Sequence, residues 1–153
     1  MKRVIVSGFF NPLHGGHLDL IEAAKKLGDE LIVLVNNDEQ QIEKKGKIIL
    51  DQENRARLMR ALRDVDEVII GIDPAGNHWP SIKTIEMVAK KYPDDELIFA
   101  NGGDRDGPRA IPETDVCRQY GIETVFGVGT EVRGQVKPDS SSRINQALGH
   151  EDA

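Results

Sequence analysis

Five short, uninterrupted apolar blocks punctuate this 153-residue chain. They are Val4-Ile5-Val6, Leu31 to Val35, Val68-Ile69-Ile70, Leu97-Ile98-Phe99-Ala100 and the weaker Thr124-Val125-Phe126. Continuous rather than alternating apolarity marks strands covered on both faces, as in a parallel sheet. The segments between them carry a helical period. Leu18, Ile21 and Leu27 form one stripe ahead of Gly28, a candidate C-cap. Leu58, Ala61, Leu62 and Val65 form a second, and Ile82, Ile85, Ala89 and Tyr92 a third, stopped by Pro93. Val116, Cys117 and Tyr120 mark a shorter helix ending at Gly121, and a last helix opens near Lys137–Ile144. Strands alternating with helices predict an α/β fold, a doubly wound five-stranded parallel sheet with helices on both faces. One domain over 1–148 is expected, with a frayed tail at 149–153.

In such sheets the ligand lies beyond the carboxyl ends of the strands, where strand order switches. Functional residues are therefore expected at about 7–17, 36–47, 71–80, 101–109 and 127–142. Charge narrows the ligand. Twenty Lys and Arg against 26 Asp and Glu give a net charge of −6. A basic face for nucleic acid is not expected. No apolar run approaches the roughly 20 residues needed to span a bilayer, so no membrane partner is expected. The one cysteine, Cys117, leaves no internal disulfide, which fits a reducing, cytoplasmic setting.

The first strand end reads Ser7-Gly8-Phe9-Phe10-Asn11-Pro12-Leu13-His14-Gly15-Gly16-His17. The glycines allow close approach of a ligand, and His17 falls where a helix begins. Exposed N–H groups and the dipole there favour an anion. Two imidazoles and a helix N-terminus form a candidate phosphate clamp. The alternatives are a turn with surface histidines or a zinc site, although no Cys pair or HExxH completes the latter. A GxGxxG after the first strand and a GxxxxGK[ST] are both absent, which removes dinucleotide and P-loop readings.

Gly8 to His17 resembles the GxFDxxHxGH signature of the cytidylyltransferase-like nucleotidyltransferase family, with Asn11 where many members have Asp. The resemblance runs from about Arg3 to Ile144. It implies a Rossmann-like fold and transfer of a nucleotidyl group from an NTP to a phosphorylated small molecule, with release of pyrophosphate. His14, His17 and Lys44 are implied as catalytic, with Lys47 the runner-up lysine and otherwise a substrate contact. Gly8, Phe9, Phe10, Asn11 and Gly16 are implied to meet the nucleotide. So are Gly103 and Asp104 of Gly102-Gly103-Asp104, and Ser140, Ser141, Ser142 and Arg143 of the last motif. Glu53-Asn54-Arg55 looks like the family's ExR helix and Val65-Asp66-Glu67-Val68-Ile69 like its VDEVI strand. Arg55, His78 and Trp79 are implied substrate contacts. Mg²⁺ is the implied cofactor, held mainly through phosphates and by Asp104. Val132 to Lys137 departs from the Arg-Thr-Glu-Gly-Ile stretch of many cytidylyltransferases. The expected donor is CTP, with ATP the alternative, and a homodimer is a carry-over from the family. A non-catalytic nucleotide-binding regulator on the same fold is the remaining rival.

Overall fold

The structure is a computed structural model, and it describes residues 1–76, 80–102, 111–129 and 141–149, with Ser142 described by its backbone only. The five expected strands are β1 Lys2–Gly8, β2 Glu30–Val35, β3 Glu67–Ile70, β4 Glu96–Ala100 and β5 Glu123–Val125. All pair in parallel in the order β3-β2-β1-β4-β5. The helices are α1 Gly15–Lys25, α2 Asp38–Lys45, α3 Gln52–Arg60, α4 Ile82–Lys91, α5 Thr114–Gln119 and α6 Ser141–Ala147.

Period-2 geometry sends alternate strand residues to opposite faces. Val4, Val6, Leu31, Val33 and Val35 pack with Ile21 and Ala24 of α1 and Met59 of α3. Ile5, Ile32 and Leu34 pack on the other face with Ile85, Val88 and Ala89 of α4 and Val116 and Cys117 of α5. Each strand position thus buries an aliphatic side chain worth about 1.5–3 kcal/mol, which is why the apolar blocks run without a polar break. Burial pushes the Cys117 thiol up to about 12, with Glu113 adding to the effect.

Several helical details differ from the sequence expectation. The segment 38–45, given only within the expected strand-end range 36–47 and in none of the expected helices, is the helix α2. Its buried residues are Gln40, Gln41 and Lys45, so no apolar stripe announces it. The α3 stripe has a different phase: Arg55, Ala56 and Met59 face inward, while Leu58 is 45% exposed. That helix also ends at Arg60 rather than continuing to Val65. In α1 the buried residues are Ile21 and Ala24, and Leu18 faces out.

Gly28 is not the cap of α1; that position belongs to Lys26 in right-handed conformation. Gly28 is required by proximity instead. A Cβ there would lie 2.8 Å from the Lys2 carbonyl oxygen and 2.9 Å from Val4 Cγ2, both in β1. Gly28→Ala is expected to destabilise the fold by about 1–3 kcal/mol, read as a lower urea midpoint at unchanged slope.

Candidate active site

β1 occupies the centre of the sheet, and strand order reverses beside it. The chain leaves β1 toward β2 on one side, and β4 lies on the other. The carboxyl ends are held level: Gly8 pairs with Val35, and the Asn36 N–H donates to the Gly8 carbonyl at 2.9 Å. The Asn101 N–H donates to Val125 O at 2.8 Å on the far side. The Gly8–His17 segment therefore emerges at the switch point, where a ligand crevice forms.

The local sequence orders this segment tightly. Phe10 has φ of 52° and is buried, and its ring lies over Gly8, where a Cβ would come within 3.1 Å of it. The Phe10 ring meets His17 edge-on at 5.0 Å between centroids. His17 and His14 stack at 3.9 Å with 27° between ring planes. His14 is the N-cap of α1. Its Nδ1 accepts the Gly16 N–H at 3.0 Å, and the His14 N–H in turn donates to His17 Nδ1 at 3.2 Å. An Nδ1 that accepts carries no proton, so each neutral imidazole carries its proton on Nε2. The reciprocal cap thus fixes both rings as Nε2–H donors.

The same geometry changes the role of the helix N-terminus. The Gly16 N–H is taken by His14 Nδ1, and the His17 and Leu18 N–H groups donate to the His14 carbonyl. The attraction for an anion thus falls to the imidazole donors and the helix dipole rather than to those first-turn N–H groups. Gly15 faces open space, and Gly16 contributes through its backbone N–H.

α2 is joined to the same segment through Phe9 and Asn11. Asn37 caps it by accepting the Gln40 N–H at 3.0 Å, and Gly46 closes it in the left-handed region at φ 77°. Lys44 is in its last turn, its ammonium 4.7 Å from the centre of the Phe9 ring. This cation–π contact joins the lysine to the β1 segment. Lys47 is exposed beyond the helix end. Lys44 thus has a base fixed by a helix.

Behind these groups lies a buried polar network. Asn11 is 0% exposed; its Nδ2 donates to Gln41 Oε1 at 2.6 Å, and its Oδ1 accepts the Leu50 N–H at 3.2 Å. Arg55 was expected against substrate. The structure instead buries it completely, with its guanidinium donating to Leu50 O, Phe9 O, Asn36 O and Asp38 Oδ1 at 2.6–3.1 Å. Burial pulls its pKa below the ordinary value, and Asp38 opposes that shift. Asn11 and Arg55 therefore face the protein, tying strand-end segments together. Gln41 and Asp38 are members of this network that sequence reasoning did not assign to the site. A buried amide has no sequence signature beyond the capping pattern that would have placed it on a helix.

The last motif joins the same segment. Ser141 Oγ donates to Pro12 O at 2.9 Å, and Asn145 Nδ2 donates to Asn11 O at 3.0 Å. The Ser141 hydroxyl proton, expected on a phosphate, is spent on the Pro12 carbonyl. Arg143 is exposed on α6. His78, Trp79, Gly103, Asp104, Ser140 and the Ser142 side chain lie outside the described residues. Among the described residues no group of three His, Cys, Asp or Glu side chains could hold a metal. The donors gathered at the strand end suit anionic oxygens rather than a cation. No helix among the described residues is long and apolar enough to cross a membrane.

The chain is similar to several known proteins. The chain is 41% identical over 105 residues to an FAD synthase of Pyrococcus abyssi, covering 68% of this chain and 64% of that protein. It is 45% identical over 69 residues to the glycerol-3-phosphate cytidylyltransferase of Bacillus subtilis, covering 45% of this chain and 54% of the relative. The match thus spans less than two thirds of the length of these curated relatives. Among solved structures, the lipopolysaccharide core biosynthesis protein of Thermoplasma volcanium superposes with a TM-score of 0.62 at 31% identity, covering 82% of this chain and 95% of that one. A putative nicotinate-nucleotide adenylyltransferase of Vibrio parahaemolyticus shares the fold, with a TM-score of 0.60 at 17% identity, covering 96% and 86% of the two chains. The family model described as cytidylyltransferase-like matches residues 5–106, two imidazole donors and the Lys44 helix included, and the chain belongs to that family of nucleotidyltransferases.

Proposed function

We propose that this nucleotidyltransferase joins the nucleotidyl group of an NTP to the phosphate of a small molecule and releases pyrophosphate. The observation that carries the reading is the pair of stacked imidazoles at the end of the central strand, each held as an Nε2–H donor by its Nδ1. An acceptor phosphate oxygen is already anionic, so it attacks the α-phosphorus without a protein base. The bond from the α-phosphorus to the bridging oxygen breaks, and pyrophosphate leaves with the electron pair. His14 and His17 donate to the phosphoryl oxygens as charge moves to the leaving group, and Lys44 balances that charge from α2. Fixed donors of this kind cost no reorganisation at the moment of reaction. Arg55 and Asn11 act from behind by holding the segments in place.

Asp104, the carboxylate implied for Mg²⁺, lies outside the described residues. Bound Mg²⁺ would offset phosphate charge as a counter-ion on the triphosphate.

The FAD synthase name of the Pyrococcus relative favours an adenylyl donor, because making FAD adds an adenylyl group to a flavin phosphate. The Bacillus cytidylyltransferase keeps CTP, the donor expected from the sequence, as the second reading. The test is pyrophosphate release with ATP and CTP, each paired with FMN, glycerol 3-phosphate, sugar 1-phosphates and phosphonates. Turnover with one donor and one acceptor class is the expected result. Tight nucleotide binding with no release across the panel would instead favour a regulatory nucleotide-binding protein.

A further inference from the structure

Gln41 is 0% exposed on α2, one turn before Lys44, and its amide is saturated. Oε1 accepts from Asn11 Nδ2 at 2.6 Å and from the Ile49 N–H at 2.7 Å. Nε2 donates to Asp38 Oδ1 at 2.8 Å and to Leu50 O at 2.9 Å. Two acceptor sites and two donor protons are all that a carboxamide possesses. The four partners come from three places: the β1 segment, the start of α2 and the chain that follows α2.

Each hydrogen bond is worth about 0.5–1.5 kcal/mol after the loss of water, and an apolar side chain of the same length would leave the partners unpaired. Stability is not all that the group contributes. What the amide supplies is direction. Hydrogen bonds fix separation and angle, whereas aliphatic contacts slide. The bond between Asn11 and Gln41 lies three residues ahead of His14 on one segment and three ahead of Lys44 on the other. Anchoring Asn11 to Gln41 therefore sets the span between the imidazole donors and the ammonium. Arg55 braces the same two segments through Phe9 O and Asn36 O, and its bond to Asp38 connects it to the Gln41 amide.

We infer that Gln41 is a positioning residue for nucleotidyl transfer: it fixes Lys44 relative to His14 and His17, and so acts on turnover without touching substrate. The inference rests on the proposed function, because it assigns the two sides of the cleft to one phosphoryl transfer. A Lys44 shifted by about 1 Å still attracts a triphosphate but no longer meets the charge developing in the transition state, a loss of about 100-fold.

The experiment is steady-state kinetics of Gln41→Met, which keeps length and helix propensity but removes every hydrogen bond. It is run with the donor and acceptor that serve the unaltered protein. For Q41M, kcat is expected to fall about 100-fold while KM for the NTP changes less than about threefold. In a Lys44→Ala background the same substitution should cost less than about twofold more, since no ammonium remains to be misplaced. Unchanged kcat in folded Q41M would overturn the inference, as would an undiminished loss on top of Lys44→Ala. Should Q41M fail to fold by circular dichroism, the isosteric Gln41→Glu takes its place. It sets a carboxylate oxygen against Asp38 Oδ1 and Leu50 O, and the same kcat loss is expected, with full turnover overturning the inference. An unaltered protein that transfers from neither ATP nor CTP overturns the proposed function and this role with it. Normal transfer with an unimpaired variant overturns the role alone.

Discussion

Replacing His14 by alanine is expected to lower kcat by about 10²–10³-fold, the usual cost of losing one donor aimed at developing charge. The same change also removes the N-cap of α1, worth about 0.5–2 kcal/mol, because Nδ1 no longer accepts the Gly16 N–H. Two effects from one side chain need separating, and His14→Asn does so. Asparagine caps helices well through its side-chain oxygen, so the urea midpoint should recover. Turnover should not, because the stacked Nε2–H donor is still missing. A His14→Ala protein with near-normal kcat would remove His14 from the chemistry. Full recovery of turnover in His14→Asn would make its role structural.

The second large effect is on stability. Arg55→Met should cost about 3–5 kcal/mol, the loss seen when one partner of a buried ion pair is removed. Leu50 O, Phe9 O and Asn36 O would lose donors in a protected interior, and Asp38 would lose its cation. Against a typical total of about 5–15 kcal/mol, that is a large share. Lysine should not rescue it. A single ammonium has three donors on one atom, whereas the guanidinium spreads its donors over a planar fork that reaches four oxygens. Chemical denaturation followed by circular dichroism reads both variants. A midpoint within error of the unaltered protein for Arg55→Met would show that the buried network contributes nothing.

The sheet was legible because continuous aliphatic runs have few other destinations than a strand covered twice. Val4-Ile5-Val6 and Leu31 to Val35 split cleanly between two cores. The position of the histidines followed, since strand ends at a switch point carry ligands. Less legible was everything that depends on buried polar groups. The inward face of α2 is made of Gln40, Gln41 and Lys45, which hydropathy assigns to solvent. Capping logic did hold the information: Asn37, then Asp38 and Glu39 in the first turn, Lys44 and Lys45 in the last, and Gly46 after it. Arg55 was expected against substrate, and a fully buried arginine is rare. The stripe from Leu58 to Val65 set the wrong phase for α3, placing Leu58 inside. The tautomers of His14 and His17 depend on reciprocal backbone bonds that residue types alone do not specify.

The central place of β1 has a consequence for how the molecule breathes. Amide protons of Val4, Ile5 and Val6 have strands on both sides and cores above and below. They should exchange with solvent deuterium only when the whole sheet comes apart. Among the described residues β5, three residues long, pairs only with β4 and can open by a smaller excursion. The histidine segment is therefore rooted in the slowest-exchanging strand, while the β5 side of the crevice belongs to a less stable unit. Deuterium exchange should therefore separate the two ends of the sheet, with the β1 amides protected longest and those of β5 exchanging first.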